Sequence, residues 1–236
     1  MDNFAYNPVS LRRLLVRQKS NATCGLAALC IGLGFFGIRI KQEVLEAKLG
    51  EFGLRIFENG VYTAYLAALA KTSGANCTLL MPKNSIYEFT KNLSFVRGDF
   101  DLTFELIREY ESVLPPRSTR RYFYKSLVLA LGLGAKIRIS GRNVRFEDIL
   151  TATKRGSAAL VDVTSKLFYR INDERWSHVL TLIPFQDSFA VMDCLDPVGR
   201  DFYSNWDIIR KRVLRYNWLK WNGQLLELSA SNSART

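Results

Sequence analysis

Residues 25–37, Gly-Leu-Ala-Ala-Leu-Cys-Ile-Gly-Leu-Gly-Phe-Phe-Gly, are apolar on every side and rich in small residues. A helix without a polar stripe has no face to offer water, so this segment predicts a central helix, buried all round, on which the rest of the chain must pack. Asn21 or Thr23 suits the N-cap, and Gly37 suits the left-handed position that closes such a helix. Directly ahead of it stands Gln18-Lys19-Ser20-Asn21-Ala22-Thr23-Cys24. Cys24 therefore opens the helix, where the macrodipole and the unpaired backbone N–H groups favour a thiolate. That makes Cys24 a candidate nucleophile.

The chain has 236 residues, 48% of them hydrophobic and 12% aromatic, enough to bury a sizeable core and too apolar for a disordered or fibrous protein. Thirty-three Lys and Arg against 22 Asp and Glu give a formal charge of +11, which attracts acidic partners. The basic residues lie in small scattered clusters without zinc-finger spacing or an RNA-recognition signature, so no specific nucleic-acid partner is expected. Four cysteines, Cys24, Cys30, Cys77 and Cys194, form no disulfide framework and no metal-ligand spacing. Free thiols in a reducing compartment follow, with no metal or cofactor. The apolar stretch 25–38 is too short to span a bilayer, and no signal segment precedes it; a cytoplasmic protein without a membrane segment is the expectation.

In chain order, residues 1–17 read as an arm lying along the body. Helices are expected at 41–49 and 61–71, the latter stopping at Gly74, and a short strand at 77–81. Residues 82–140 read as an insertion or substrate-facing subdomain within a single domain of 1–236, with a helix at 102–110 and a breaker at Pro115-Pro116. A helix at 146–153 and a buried strand at 158–163 follow. Residues 178–184 and 189–193 predict a hairpin around Gln186-Asp187-Ser188. The tail 229–236 is polar, and no internal repeat stands out. Helices first and strands later point to an α+β fold, helical in its N-terminal half with an antiparallel sheet in its C-terminal half.

His178 is the only histidine, and it opens an expected strand. A thiol nucleophile needs a base within hydrogen-bond reach, and that base needs an orienting acceptor. Two acids can supply it, Asp193 at the end of the next strand and Asp196 just before Pro197. In a hairpin the far end of the second strand returns beside the start of the first, so both are within reach of His178. The side-chain amide of Gln18 can donate to the oxygen that becomes negative during attack, alongside the backbone N–H of Cys24. Cys30, Cys77 and Cys194 read as small apolar core residues.

Gln18 through Cys30, followed by Gly34-Phe35-Phe36-Gly37-Ile38, resembles the N-terminal motif of the C39-like cysteine peptidases, the papain-like group that processes bacteriocin leaders in exporters. Asn59-Gly60 with the helix after it resembles that family's second helical motif. Ser177-His178-Val179-Leu180 and Asp196-Pro197-Val198-Gly199 resemble its His strand and Asp-Pro motif. The resemblance covers residues 12–81 and 144–200 in order. It implies a papain-like fold, Cys24 as nucleophile, His178 as base, Asp196 or Asp193 as orienting acid and Gln18 as oxyanion donor. It also implies cleavage after a Gly-Gly or other small-residue site of a bacterial peptide, whose acidic leader a +11 surface would suit. Thr23 departs from the acid that many members carry before the Cys, and neither a P-loop nor an exporter's membrane segment is present, so a freestanding domain is expected. Two other functions fit the same residues: a catalytically silent module that grips an acidic leader or partner protein, and a thioester-forming acyltransferase.

Overall fold

The computed structural model describes residues 11, 13–20, 22–56, 61–86, 89, 98–116, 118–142, 144–164, 177–185, 188–194 and 224–230. Among them, six α-helices surround one mixed sheet of seven strands. In chain order these are α1 (Cys24–Phe35), α2 (Gln42–Glu51), α3 (Thr63–Thr72), β1 (Asn76–Pro82), β2 (Phe100–Asp101), α4 (Phe104–Ser112), α5 (Thr119–Gly132), β3 (Lys136–Ser140), α6 (Phe146–Lys154), β4 (Ala158–Thr164), β5 (Ser177–Phe185), β6 (Ser188–Met192) and β7 (Leu225–Ser229). The sheet order is β2-β3-β1-β7-β4-β5-β6.

α1 is the buried helix its composition predicts, with every residue from Cys24 to Leu33 out of solvent. Its glycines are there for close approach. A Cβ on Gly32 would come within 2.8 Å of Leu228 Cδ1 and 3.1 Å of Leu160 Cδ1, so the helix lies almost directly on β4 and β7. Full burial of Leu26, Leu29, Ile31 and Leu33 stabilises this contact by roughly 1.5–3 kcal/mol per side chain. The hydroxyl of Thr181 on β5 donates to the carbonyl of Ala28 at 2.8 Å, which fixes α1 along β5 in register.

The mixed α and β composition agrees with the α+β expectation, but the sheet differs from the expected one in two ways. It is not wholly antiparallel, because β1 and β3 run parallel (Leu79 opposite Ile137). It is also not confined to the C-terminal half. β1, β2 and β3 come from residues 76–140, and α5 packs on α3, so much of the stretch expected as an insertion contributes to the same sheet and core. The chain joins these pieces with one recurring device. α3, α5 and α6 each end in a left-handed glycine, Gly74, Gly134 and Gly156, and feed straight into β1, β3 and β4.

β7 lies in the middle of the sheet, antiparallel to both β1 and β4. Ser229, expected to begin the polar tail, instead ends this strand opposite Asn76. At the other edge β5 and β6 form the predicted hairpin, with Phe185 opposite Ser188 and Thr181 opposite Met192. The arm's Leu11 is fully buried in the core, with Leu14, Leu15 and Val16 packed against it. No helix among the described residues is long and apolar enough to cross a membrane.

Candidate active site

α1 and β5 run in the same direction, and the Thr181–Ala28 bond sets their relative height. One helical turn before Ala28 is Cys24; three residues before Thr181 is His178. The site therefore forms where the N-terminus of α1 meets the start of β5 and the end of β6.

The segment leading into α1 is held at several points. Gln42, buried on α2, donates from Nε2 to the carbonyl of Arg17 at 2.7 Å. The Thr23 hydroxyl accepts from the backbone N–H groups of Lys19 at 3.1 Å and Ser20 at 2.9 Å, and donates to the carbonyl of Ser20 at 3.0 Å. This corrects the capping expectation. Thr23 occupies the N-cap position, but its side chain ties down the preceding loop and bonds no amide of the helix. Asn21, the alternative cap, lies outside the described residues. An ion pair between Lys19 and Glu43 joins the loop to α2 from outside. Gly25, next to Cys24, has no room for a side chain, since a Cβ there would meet Val61 Cγ2 at 2.8 Å.

His178 is 2% exposed. Its Nε2 bonds Asp193 Oδ1 at 2.8 Å, and since a carboxylate only accepts, Nε2 carries the proton in this contact. The Cys24 side chain lies close enough to the ring to favour its charged form. With Nε2 committed to Asp193, Nδ1 is the nitrogen left for the thiol. Burial opposes charge on the ring, but the hydrogen bond to Asp193 and the nearby Cys24 side chain, with the charges of both, outweigh it, and His178 is pushed up to about 9. The surroundings of the ring therefore favour its protonated form.

Of the two acids the sequence left open, Asp193 bonds His178. Asp196 lies outside the described residues. A third acid, Asp162, was not read from the sequence at all. It lies opposite Val179 on β4, one residue along the ladder from the partner of His178. Burial pushes its carboxyl up to about 7, against the pull of the His178 charge. A strand residue inside an apolar run (Leu160-Val161-Asp162-Val163) was the available signal.

Gln18 lies at the same corner. Its backbone N–H donates to the carbonyl of Cys194 at 3.1 Å, and its Oε1 accepts from the Cys194 thiol at 3.4 Å. That thiol is also 3.7 Å from the carbonyl oxygen of Cys24. Cys194 is a core residue, as the sequence suggested, and in addition a hydrogen-bond donor within the site. Burial, then the charges of Cys24 and Asp193, raise its pKa far above the ordinary thiol range, so it stays protonated. Cys30 and Cys77 are buried away from this corner, and each is pushed up to about 12, chiefly by burial. Cys77 spends its proton on the carbonyl of Ala67 at 3.4 Å.

Ligand atoms of His178, Asp193 and Cys194 all lie within 4.8 Å of one another, a spacing a cation could share. A metal would need the Cys194 thiolate and would break the His178–Asp193 bond, so these residues fit a hydrogen-bonded network better than a metal centre. No protein-family model matches the chain, and no curated protein matches it.

Proposed function

We propose that the protein is a cysteine peptidase of papain-like architecture, related to the C39-like enzymes, that cleaves a peptide or protein through a Cys24 thioester. The observation that carries this reading is the buried cluster in which Asp193 bonds His178 and the Cys24 side chain, at the head of a helix, acts on the same ring. An imidazolium beside a sulfur at a helix N-terminus is the arrangement in which cysteine acts as a thiolate nucleophile. Asp193 holds the ring in the tautomer and orientation that the transfer needs.

The steps follow from these roles. The Cys24 sulfur bonds to the substrate carbonyl carbon, and the carbonyl π electrons move to oxygen. The backbone N–H of Cys24 and the Gln18 amide stabilise that oxyanion. Collapse re-forms the carbonyl and breaks the C–N bond; the departing nitrogen takes its proton from His178. Water then adds to the thioester and gives a proton to His178, and the carbon–sulfur bond breaks to release acid and thiolate. The +11 charge favours an acidic substrate. Four free, buried cysteines suit a reducing compartment such as the cytoplasm.

Incubation with an unbiased peptide library, with new termini read by mass spectrometry, tests the proposal. Wild-type protein should produce cuts clustered after small residues, and Cys24→Ala should lose them by about a thousandfold or more. Cuts that survive in Cys24→Ala, or no Cys24-dependent cuts at all, would overturn it, and the second outcome would leave a binding module on the same scaffold.

A further inference from the structure

We propose that Cys194 is a positioning residue for the oxyanion donor, its thiol holding Gln18 so that the amide nitrogen is presented to the reacting carbonyl. This inference rests on the peptidase reading above. A glutamine side chain has rotatable bonds enough to aim its amide in many directions, and either end of the amide can face a given point. Donation from the Cys194 thiol to Gln18 Oε1 at 3.4 Å removes that ambiguity. An S–H group that stays protonated pairs with the oxygen end, which turns the two N–H bonds of Nε2 the other way. That nitrogen has no hydrogen-bond partner among the described residues.

The second contact fixes position as well as direction. Gln18 N–H to the Cys194 carbonyl, at 3.1 Å, ties the backbone of the donor to the strand end that also carries Asp193. Because the Cys194 sulfur is in addition 3.7 Å from the Cys24 carbonyl oxygen, one residue spans the donor, the nucleophile's backbone and the acid's neighbour. Displacing a positioned group by about 1 Å can cost on the order of a hundredfold in rate, so such a residue matters without touching substrate.

Two reagents separate this role from general support of the site. A peptide aldehyde ending in Gly-glycinal adds to the Cys24 sulfur: a carbon–sulfur bond forms, the carbonyl π bond opens, and the resulting oxygen needs the donor. Iodoacetamide alkylates the same sulfur by displacing iodide and creates no oxyanion. Cys194→Ala and Cys194→Val, one smaller and one filling the space, should each weaken aldehyde binding by about ten- to a hundredfold. Iodoacetamide labelling of Cys24 should stay within about twofold of wild type in both. Cys194→Ser, which keeps a donor, should recover most of the aldehyde affinity. Gln18→Ala should match the loss, and Gln18→Ala with Cys194→Ala should be no worse than Gln18→Ala alone, since the pair acts as one unit. Unchanged aldehyde binding in the Ala and Val variants, or a parallel fall in both reactions, would overturn the positioning role. Wild-type Cys24 that takes up neither reagent would overturn the peptidase reading and this role with it.

Discussion

The two ends of the sheet are built to different rules. At the β2-β3-β1 end the interior is aliphatic and aromatic: Leu79, Met81 and Ile139 are fully buried, and Phe89, Tyr110, Tyr124 and Phe123 stack edge to face between α4 and α5. The Arg138–Asp101 ion pair there, at 3.0 Å, stays at the surface, both side chains more than half exposed. At the β5-β6 end the polar groups are inside. His178, Cys24 and Cys194 are buried, Asp193 is nearly so, and they bond one another. A buried charged pair is costly to assemble and is weak evidence for stability, and among the described residues the His178–Asp193 pair at this end is the feature on which the proposed chemistry rests.

If that contrast is right, disturbing the two ends should have opposite signatures. The largest effect should come from Asp193→Asn, which keeps the size of the side chain and stops it holding the correct tautomer of His178. Turnover should fall by about a thousandfold or more, while Asp196→Asn falls far less. Comparing kcat for the two variants checks the assignment, and the reverse order would move the orienting role to Asp196.

A pH titration comes next. Because the folded-state value of about 9 lies above the ordinary 6.5, the folded protein holds the His178 proton more tightly than the unfolded chain does. The stability this contributes is complete below pH 6.5 and is lost as pH rises through about 9. Urea midpoints of wild type and His178→Gln should therefore converge at high pH, and turnover should decline over the same range as the proton for the leaving nitrogen disappears. At the other end, Leu79→Ala should cost about 2–5 kcal/mol in urea unfolding and leave the reactivity of Cys24 unchanged. Arg138→Ala should cost less than about 1 kcal/mol and likewise leave Cys24 alone.

Much of the β5-β6 end was legible in the sequence for the same reason that it is distinctive. An all-apolar helix with small residues can only be central, and Cys24 opens it. A single histidine opening an apolar run reads as the start of a strand. What was not legible depended on contacts between distant segments. Asp193 and Asp196 both follow the hairpin, and local pattern does not say which side chain turns toward the ring. Cys194 reads as an ordinary small core residue until Gln18, far away in sequence, is brought against it. β3, Lys-Ile-Arg-Ile-Ser, carries a plain alternation, but its partner β1 is distant in sequence and nothing local announces the pairing. β7 is five residues beside a polar tail, and only its place between β1 and β4 makes it a central strand.

The central claim is that Cys24 differs in kind from the other three thiols because His178 faces it. Timed iodoacetamide labelling of the folded protein at neutral pH, with each cysteine-containing peptide quantified by mass spectrometry, tests that most directly. The account predicts that Cys24 is alkylated first and selectively, while Cys30, Cys77 and Cys194 stay unlabelled, and that His178→Ala slows Cys24 by about tenfold or more. Labelling of Cys24 no faster than that of an ordinary thiol, or at the same rate without His178, would contradict it.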